Sequence, residues 1–194
     1  MIIGKKLTLI SLLPILLSGC AATVVGAGVA AGTTATVAHD RRTTGTFIED
    51  QAIELKAIKS FFSDKEINDS SHINVTSYNT VVLITGETPS EDIRQRIVNI
   101  VKTIPKVVHV YDELTIAAPS SWTSRGSDSL ITSKVKTKLL TLKNFDGTRV
   151  KVVTEKGVVY LMGLSTRAES DIATRETQQT GGVQKVVKLF QYVD

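Results

Sequence analysis

The chain has few of the residue types that form catalytic, metal or disulfide sites. Its 194 residues include one cysteine, three histidines and one tryptophan, and only 5% of them are aromatic. One cysteine cannot form a disulfide within the chain, and the three histidines lack metal-ligand spacing. Neither a Gly-x-Ser-x-Gly elbow nor a phosphate-binding Walker A loop is present in the sequence. The sequence therefore predicts a protein that is not an enzyme and binds no metal.

Long hydrophobic runs are also missing beyond the first 20 residues. Residues 7–17 are mostly apolar, with Lys5 and Lys6 before them and Ser18 and Gly19 after them. This run is too short for a transmembrane helix, which needs ~20 apolar residues. A basic start, a short apolar run and a pair of small residues are typical of an export signal. We therefore expect residues 1–19 to be a signal peptide that is removed on export.

The position of the lone cysteine predicts lipidation. Leu17-Ser18-Gly19-Cys20 resembles the bacterial lipobox, in which the Cys20 thiol would be diacylated and the new amino terminus acylated with fatty acids such as palmitate. Two or more acyl chains anchor a protein lastingly, at ~0.8 kcal/mol per buried CH₂. The alternative is a secretory signal whose cleavage site happens to contain a cysteine. Because Ala21 rather than aspartate follows Cys20, we expect the outer membrane, with the protein facing the periplasm.

An internal duplication makes up most of the remaining sequence. Residues 72–86 and 149–163 align without a gap at an offset of 77, which pairs Ile58 with Val135 and Phe62 with Leu139. Residues 106–116 resemble residues 185–193 at an offset of 79, which predicts two extra residues in the second copy. The predicted organisation is a lipidated, Gly/Ala/Thr-rich flexible tether at 20–45, a domain at 46–117, a linker at 118–126 and a domain at 127–194.

Each copy is predicted to contain a helix, two strands, a second helix and a third strand. This order gives an α+β fold, with a three-stranded mixed sheet and both helices packed on one of its faces. The second helices are predicted to begin with capping boxes at 88–91 and 166–169, and the buried face of the later one is thin. The predicted core stripes of the first helices are Leu55, Ile58 and Phe62 in the first copy and Ile131, Val135, Leu139 and Leu142 in the second.

The repeated pattern Val-Val-Leu-x-x-Gly, followed by Val-x-x-Val, resembles the BON domain. Residues 81–86 with 106–108, and residues 158–163 with 182–187, carry this resemblance. A lipoprotein signal, a Gly/Ala tether and two BON copies are together similar to a group of outer-membrane lipoproteins of Gram-negative bacteria. The resemblance implies a non-enzymatic protein that supports outer-membrane integrity and binds anionic phospholipid through its second BON domain.

The charges of the two copies point to the second copy as the one that contacts lipid. Residues 44–117 contain 7 Lys/Arg and 11 Asp/Glu, whereas residues 126–194 contain 11 and 7. An anionic surface therefore attracts the second copy and repels the first.

A helical wheel of residues 130–143 places two leucines and several hydroxyl residues opposite the core stripe, with lysines beside them. Such a face suits the headgroup boundary of a bilayer, where each Lys near an anionic surface contributes ~1 kcal/mol. The alternative is a solvated helix with two surface leucines. The predicted phospholipid-binding residues are Leu130, Ser133, Lys134, Lys136, Thr137, Lys138, Leu140 and Thr141.

Two functional classes remain open at this stage. One is a protein that binds anionic phospholipid similar to phosphatidylglycerol, with the division site as one location. The other is a scaffold that docks on an outer-membrane assembly factor or on the cell wall. Trp122 in the linker either anchors at the bilayer interface or fills the groove between the modules, and the sequence favours the groove. We expect a monomer with no nucleic-acid partner, and no cofactor other than the lipid on Cys20.

Overall fold

The computed structural model describes residues 40–194. The predicted signal peptide, Cys20 and most of the predicted tether lie outside the described residues. The first module consists of α1 (Thr44–Ser63), α2 (Lys65–Ser70), β1 (His72–Tyr78), β2 (Val81–Thr88), α3 (Glu91–Lys102) and β3 (His109–Ile116). The second consists of α4 (Trp122–Thr141), a 3₁₀ turn (Gly147–Arg149), β4 (Lys151–Glu155), β5 (Val158–Ser165), α5 (Arg167–Gln178) and β6 (Lys185–Tyr192).

Each module contains a three-stranded mixed sheet with its second strand in the centre. β2 is antiparallel to β1 and parallel to β3, and β5 is antiparallel to β4 and parallel to β6. A parallel pair needs a crossover connection, which contains α3 in one module and α5 in the other. The predicted α+β fold of two tandem helix-strand-strand-helix-strand modules is confirmed.

A buried aspartate from the first helix of each module holds the turn of the β-hairpin. Asp50 accepts hydrogen bonds from the N–H groups of Asn79 and Thr80, each at 2.8 Å. Asp128 accepts them from the N–H groups of Lys156 and Gly157 at 2.9 and 2.8 Å. All four turn residues have positive φ angles, from 49° to 74°, which the tight hairpin turn requires. The aspartates thus fix the first helices against the hairpins.

The two sheets pack against each other, and the helices cover their outer faces. In β2, Val82 and Ile84 face α1 and α3. The alternating residue Leu83 instead joins Tyr160 and Met162 of β5 in a core between the sheets. Residues of β5 that point the other way pack under α4 and α5. The order of layers is therefore helices, sheet, sheet, helices, with α1 and α4 on opposite outer sides.

Polar and charged groups also join the two modules. The Lys156 ammonium lies 2.8 Å from a Glu87 carboxylate oxygen, and the Ser120 N–H donates to Glu87 at 3.0 Å. Burial by itself would raise the pKa of Glu87, but the hydrogen bonds from Lys156 and Ser120 outweigh it and the pKa is lowered. Across the same interface, the side-chain amide of Asn79 donates to Gln191 at 2.7 Å. Charge pairing therefore adds to the apolar contact between the sheets.

Arg41 connects the chain that enters α1 to the second module. Its guanidinium donates to the Leu164 carbonyl at 3.0 Å and to both Glu169 carboxylate oxygens at 2.6 and 2.9 Å. The hydrogen bond from Arg41 is the main cause of the lowered pKa of Glu169. The segment before the first module is thus held at the start of α5.

The predicted core stripe of α1 is wrong by one position. Leu55, Ile58 and Phe62 are exposed, and the buried residues of α1 are Asp50, Ile53, Ala57 and Phe61. Since Asp50 and Asp128 have the same role, α1 and α4 correspond at an offset of 78, whereas the hairpins correspond at 77. The first module has one more residue between its first helix and its first strand. In α4, by contrast, the predicted Ile131, Val135 and Leu139 are buried.

The third strands and the caps also differ in part from prediction. Val82 pairs with Val110, and Val159 pairs with Val186, so β3 and β6 correspond at an offset of 76 rather than 79. The second copy thus has one residue fewer there instead of two more. The N-cap of α3 is Ser90, not the predicted Thr88. The capping box of α5 and its thin buried face of Ser170, Ala173 and Thr177 are confirmed.

Helix α4 begins inside the predicted linker. Ser121 is its N-cap and accepts a hydrogen bond from the Ser124 N–H, so residues 122–126 are helical. Trp122 is 83% exposed. The prediction that Trp122 fills the groove between the modules is therefore wrong.

Candidate membrane-binding surface

Helix α4 has one side fixed in the core and the other facing solvent. Its buried residues are Asp128, Ile131, Val135 and Leu139, and they recur every three or four residues. The Ile131, Val135 and Leu139 side chains pack on β4 and β5, while Asp128 binds the hairpin turn. These contacts leave no freedom in the rotation of the helix about its axis. Because the rotation of α4 is fixed, the helix period determines which of its residues face solvent.

Most of the predicted phospholipid-binding residues lie on that outward side. Leu130 and Leu140 are 64% and 56% exposed. Lys138 is different: it is half-buried, with its ammonium 3.1 Å from a Glu176 carboxylate oxygen and 2.9 Å from the Glu176 carbonyl. Lys138 thus connects α4 to α5. The predicted residues that share the outward side with the leucines are Ser133, Lys134, Lys136, Thr137 and Thr141.

Trp122 belongs to the same side of α4, although the sequence placed it in the linker. It precedes Leu140 by 18 residues, which is five full turns, so the two side chains lie on one line along the helix. The Arg125 guanidinium lies 4.5 Å from the Trp122 ring centre and orients the ring. The signal that could have revealed this position is Ser121, because serine before a helical stretch is a preferred N-cap.

The charge on the outward side of α4 is of one sign. Asp128 is the only acidic residue of the helix, and it is buried. Lys134 and Lys136 are exposed, and Lys143 follows just after the helix. Within residues 40–194, no carboxylate lies in ion-pair range of these three ammonium groups. The surface therefore combines large apolar side chains with unpaired cations, as interfacial helices do.

A polar cleft of about 430 Å³ lies beside α4, where the two modules meet. His72 and Arg125 line it, and burial, followed by the charge of Arg125, lowers the pKa of His72. Across the cleft, Glu155 accepts a hydrogen bond from the Asn74 amide at 3.1 Å. The described part of the chain contains no cluster of three His, Cys, Asp or Glu arranged for a metal. It also contains no helix that is both long and apolar enough to cross a membrane.

Comparison with known proteins agrees with this organisation. The model of the BON domain matches residues 49–118 and 127–194. The chain is 36% identical to the outer membrane lipoprotein DolP of Haemophilus influenzae over 190 residues, which are 98% of this chain and 97% of that protein. It is 31% identical to a 21 kDa hemolysin of Actinobacillus pleuropneumoniae over 154 residues, 79% of each chain. It is also 31% identical to the osmotically-inducible protein Y of Escherichia coli over 145 residues, 73% of this chain and 72% of that protein. The chain therefore belongs to the BON-domain family, contains two BON domains, and has relatives that point to an outer-membrane lipoprotein.

Proposed function

We propose that this protein is anchored in the outer membrane by lipid on Cys20, faces the periplasm, and binds anionic phospholipid through α4 to support outer-membrane integrity. The observation that carries the proposal is the outward side of α4, where large apolar side chains and unpaired lysines lie together. We refer to this surface as the α4 face. It consists of Trp122, Leu130, Ser133, Lys134, Lys136, Thr137, Leu140 and Thr141.

Its apolar and cationic residues would act on different parts of the bilayer. Full burial of one Leu side chain contributes about 1.5–3 kcal/mol. Partial insertion of Trp122, Leu130 and Leu140 therefore gives a moderate attraction to the bilayer that does not depend on the charge of the headgroups. Lys134 and Lys136 each add ~1 kcal/mol only when the headgroups are anionic. The α4 face would therefore bind reversibly and prefer lipids such as phosphatidylglycerol.

The proposed lipid anchor makes such a moderate contact sufficient. Residues 20 to 40 can span at most about 70 Å, which keeps the modules close to the anchoring bilayer. A second contact of a tethered molecule benefits from a high effective concentration, typically in the millimolar range for short flexible linkers. The similarity to an outer membrane lipoprotein along nearly the whole chain supports this arrangement.

The test uses the mature chain with Cys20→Ser, which removes the anchor and isolates the protein surface. We expect it to sediment with vesicles that contain phosphatidylglycerol and far less with pure phosphatidylcholine vesicles. The double variant Leu130→Glu/Lys134→Glu should bind at least about tenfold more weakly. It loses the insertion of the Leu130 side chain and the attraction of the Lys134 charge, and its two new carboxylates are repelled by the anionic headgroups.

The matched control is Val193→Glu/Lys185→Glu. It makes the same two kinds of change at exposed positions of the second module outside the α4 face. Equal binding to both vesicle types would overturn the preference for anionic lipid, and equal loss of binding in the test and control variants would show that α4 is not the lipid-binding element.

A further inference from the structure

The first module also presents large apolar side chains on the outer side of a helix. Ile48, Leu55, Ile58 and Phe62 of α1 are 62%, 67%, 44% and 72% exposed. Ile48, Leu55 and Phe62 follow at intervals of seven residues, with Ile58 between the last two. They therefore form one line about 21 Å long on the helix. We name these four residues the α1 stripe.

The α1 stripe has no role in the fold. The core contacts of α1 are made by Ile53, Ala57 and Phe61, which pack on the first sheet. Single exposed apolar residues are common on protein surfaces, but a continuous line of four large ones usually marks an interaction site. The stripe therefore indicates a binding surface.

The charges beside the stripe are positive, although the module as a whole is acidic. Lys56 and Lys59 are exposed beside the stripe. Of the three carboxylates of the helix, Asp50 is buried against Arg42 at 2.7 Å and Glu54 accepts the Ser77 N–H at 2.9 Å. The third, Glu49, has a side chain that is 43% exposed and lies 3.9 Å from the Lys106 ammonium, whose charge offsets its own. The occupant should thus be apolar and anionic.

We propose that the α1 stripe is a second lipid-binding surface and that the protein can hold two anionic bilayer surfaces together, one on α1 and one on α4. The contact at α4 is the one in the proposed function, and the contact at α1 is additional. Since α1 and α4 lie on opposite outer sides of the four layers, one bilayer cannot engage both faces flat at the same time. Layer spacings of about 10 Å put the two bilayer surfaces about 40 Å apart.

A lipid surface fits the stripe better than a second copy of the chain does. Two copies that met through their stripes would bring the exposed Lys56 and Lys59 of each helix close to the same residues of the other. A bilayer accepts these lysines at its headgroups and the four apolar side chains at its acyl boundary. In addition, α1 starts 24 residues after Cys20, so it can reach a bilayer in which Cys20 is anchored.

The experiment mixes two populations of phosphatidylglycerol-containing vesicles, one with a donor and one with an acceptor dye, with the mature Cys20→Ser chain. We expect energy transfer as vesicles are brought together, and a gap of about 40 Å between bilayers in electron cryomicroscopy. Leu55→Glu/Phe62→Glu should abolish bridging while vesicle binding persists through α4. Leu130→Glu/Leu140→Glu should abolish bridging while weaker binding persists through α1. The control Asn99→Glu, at an exposed position of α3, should bridge normally.

Each outcome separates the two proposals. Bridging that persists in Leu55→Glu/Phe62→Glu, or wild-type binding without bridging, overturns the role of α1 and leaves α4 unaffected. If Leu130→Glu/Leu140→Glu still binds vesicles and Leu55→Glu/Phe62→Glu does not, the proposal that α4 binds lipid is wrong and the proposal that α1 binds lipid is supported. Sedimentation velocity of the chain without lipid tests whether a second copy of the chain occupies the stripe. A dimer that Leu55→Glu dissociates would assign the stripe to a second copy and overturn the lipid assignment.

Discussion

At the scale of single residues, buried carboxylates have different roles according to their partners. Asp50 binds the hairpin turn and also forms a 2.7 Å ion pair with Arg42. Asp128 has the same position in the second module and holds the two N–H groups of its turn, and among residues 40–194 it forms no ion pair with a Lys or Arg. Glu155 is buried and accepts a hydrogen bond from the neutral side-chain amide of Asn74. These three residues should therefore respond differently when their charge is removed.

The first prediction compares the two turn-binding aspartates. Asp128→Asn should lower the free energy of unfolding by about 1–3 kcal/mol, because an amide accepts fewer of the buried N–H hydrogen bonds. Asp50→Asn should cost more than Asp128→Asn, since it also removes one of the two carboxylates that pair with Arg42, which keeps Asp40 at 2.6 Å, and weakens the hydrogen bond from the Ser77 hydroxyl. Urea denaturation measures both. Asp69→Asn at an exposed position is the control, and a larger loss at Asp128 than at Asp50 would contradict this account.

The second prediction concerns Glu155. Burial is the main cause of its raised pKa; the hydrogen bond from Asn74 and the charge of Lys156 oppose it, and the charges of Glu87 and Asp128 add to it. A carboxyl whose pKa is higher in the folded state destabilises the protein progressively as pH rises through the interval between the unfolded and folded pKa values. Glu155→Gln should thus raise the free energy of unfolding at pH 7 and have little effect below about pH 4. Equal effects at both pH values would show that charge is not the cause.

At the scale of elements, the rotation of α1 about its axis decides which of its residues are buried. Phe61 and Phe62 are neighbours in the chain, but Phe61 is in the core and Phe62 is in the α1 stripe. We predict that Phe61→Ala lowers the free energy of unfolding by about 3–5 kcal/mol, because it leaves a cavity. Phe62→Ala should change it by less than about 0.5 kcal/mol. Urea denaturation of both variants tests which side of α1 faces the core. A larger loss of stability in Phe62→Ala than in Phe61→Ala would show that α1 is rotated about its axis.

The sequence predicted the order and type of the elements, because periods of 2 and 3.6 residues are visible in it directly. It could not predict the rotation of α1. Leu55, Ile58 and Phe62 have the spacing of a buried face, and so do Ile53, Ala57 and Phe61. The choice depends on Asp50, whose carboxylate must reach the hairpin turn, and this contact between distant residues leaves no periodic signal.

The candidate site was only partly predictable for related reasons. Leu130, Lys134 and Leu140 follow from the core stripe on the other side of α4, since the helix period then fixes what faces outward. The half-burial of Lys138 depends on Glu176 in a neighbouring helix, and the position of Trp122 depends on where α4 begins. Contacts between elements and helix ends are the features that a single sequence determines least.

At the scale of the whole molecule, the core between the sheets makes the two modules one unit. Tyr78 and Leu83 from one sheet pack with Tyr160, Met162 and Leu189 from the other. Modules of about 70 residues have small cores of their own, so burial between the sheets is a substantial share of their stability. The modules should therefore unfold together.

The fourth prediction follows from this coupling. Calorimetry of the intact chain should show one unfolding transition with equal calorimetric and van't Hoff enthalpies. Met162→Lys places an unpaired charge between the sheets without touching the residues under α4, so the single transition should split into two or broaden. Thr115→Lys at an exposed position of β3 is the control. Two transitions in the unaltered chain would contradict the coupling of the modules.

The hydrogen bonds of Arg41 give the molecule a definite path for mechanical load. Tension on the segment that leads from the proposed anchor reaches Arg41 before it reaches α1. The bonds from Arg41 to Leu164 and Glu169 pass that tension to the second module. Because Glu169 lies at the start of α5, the sheet and helix α5 of the second module carry this tension together with the first module. Drag on the envelope would then pull on both modules together, and α1 would not be peeled from its sheet while the Arg41 bonds hold.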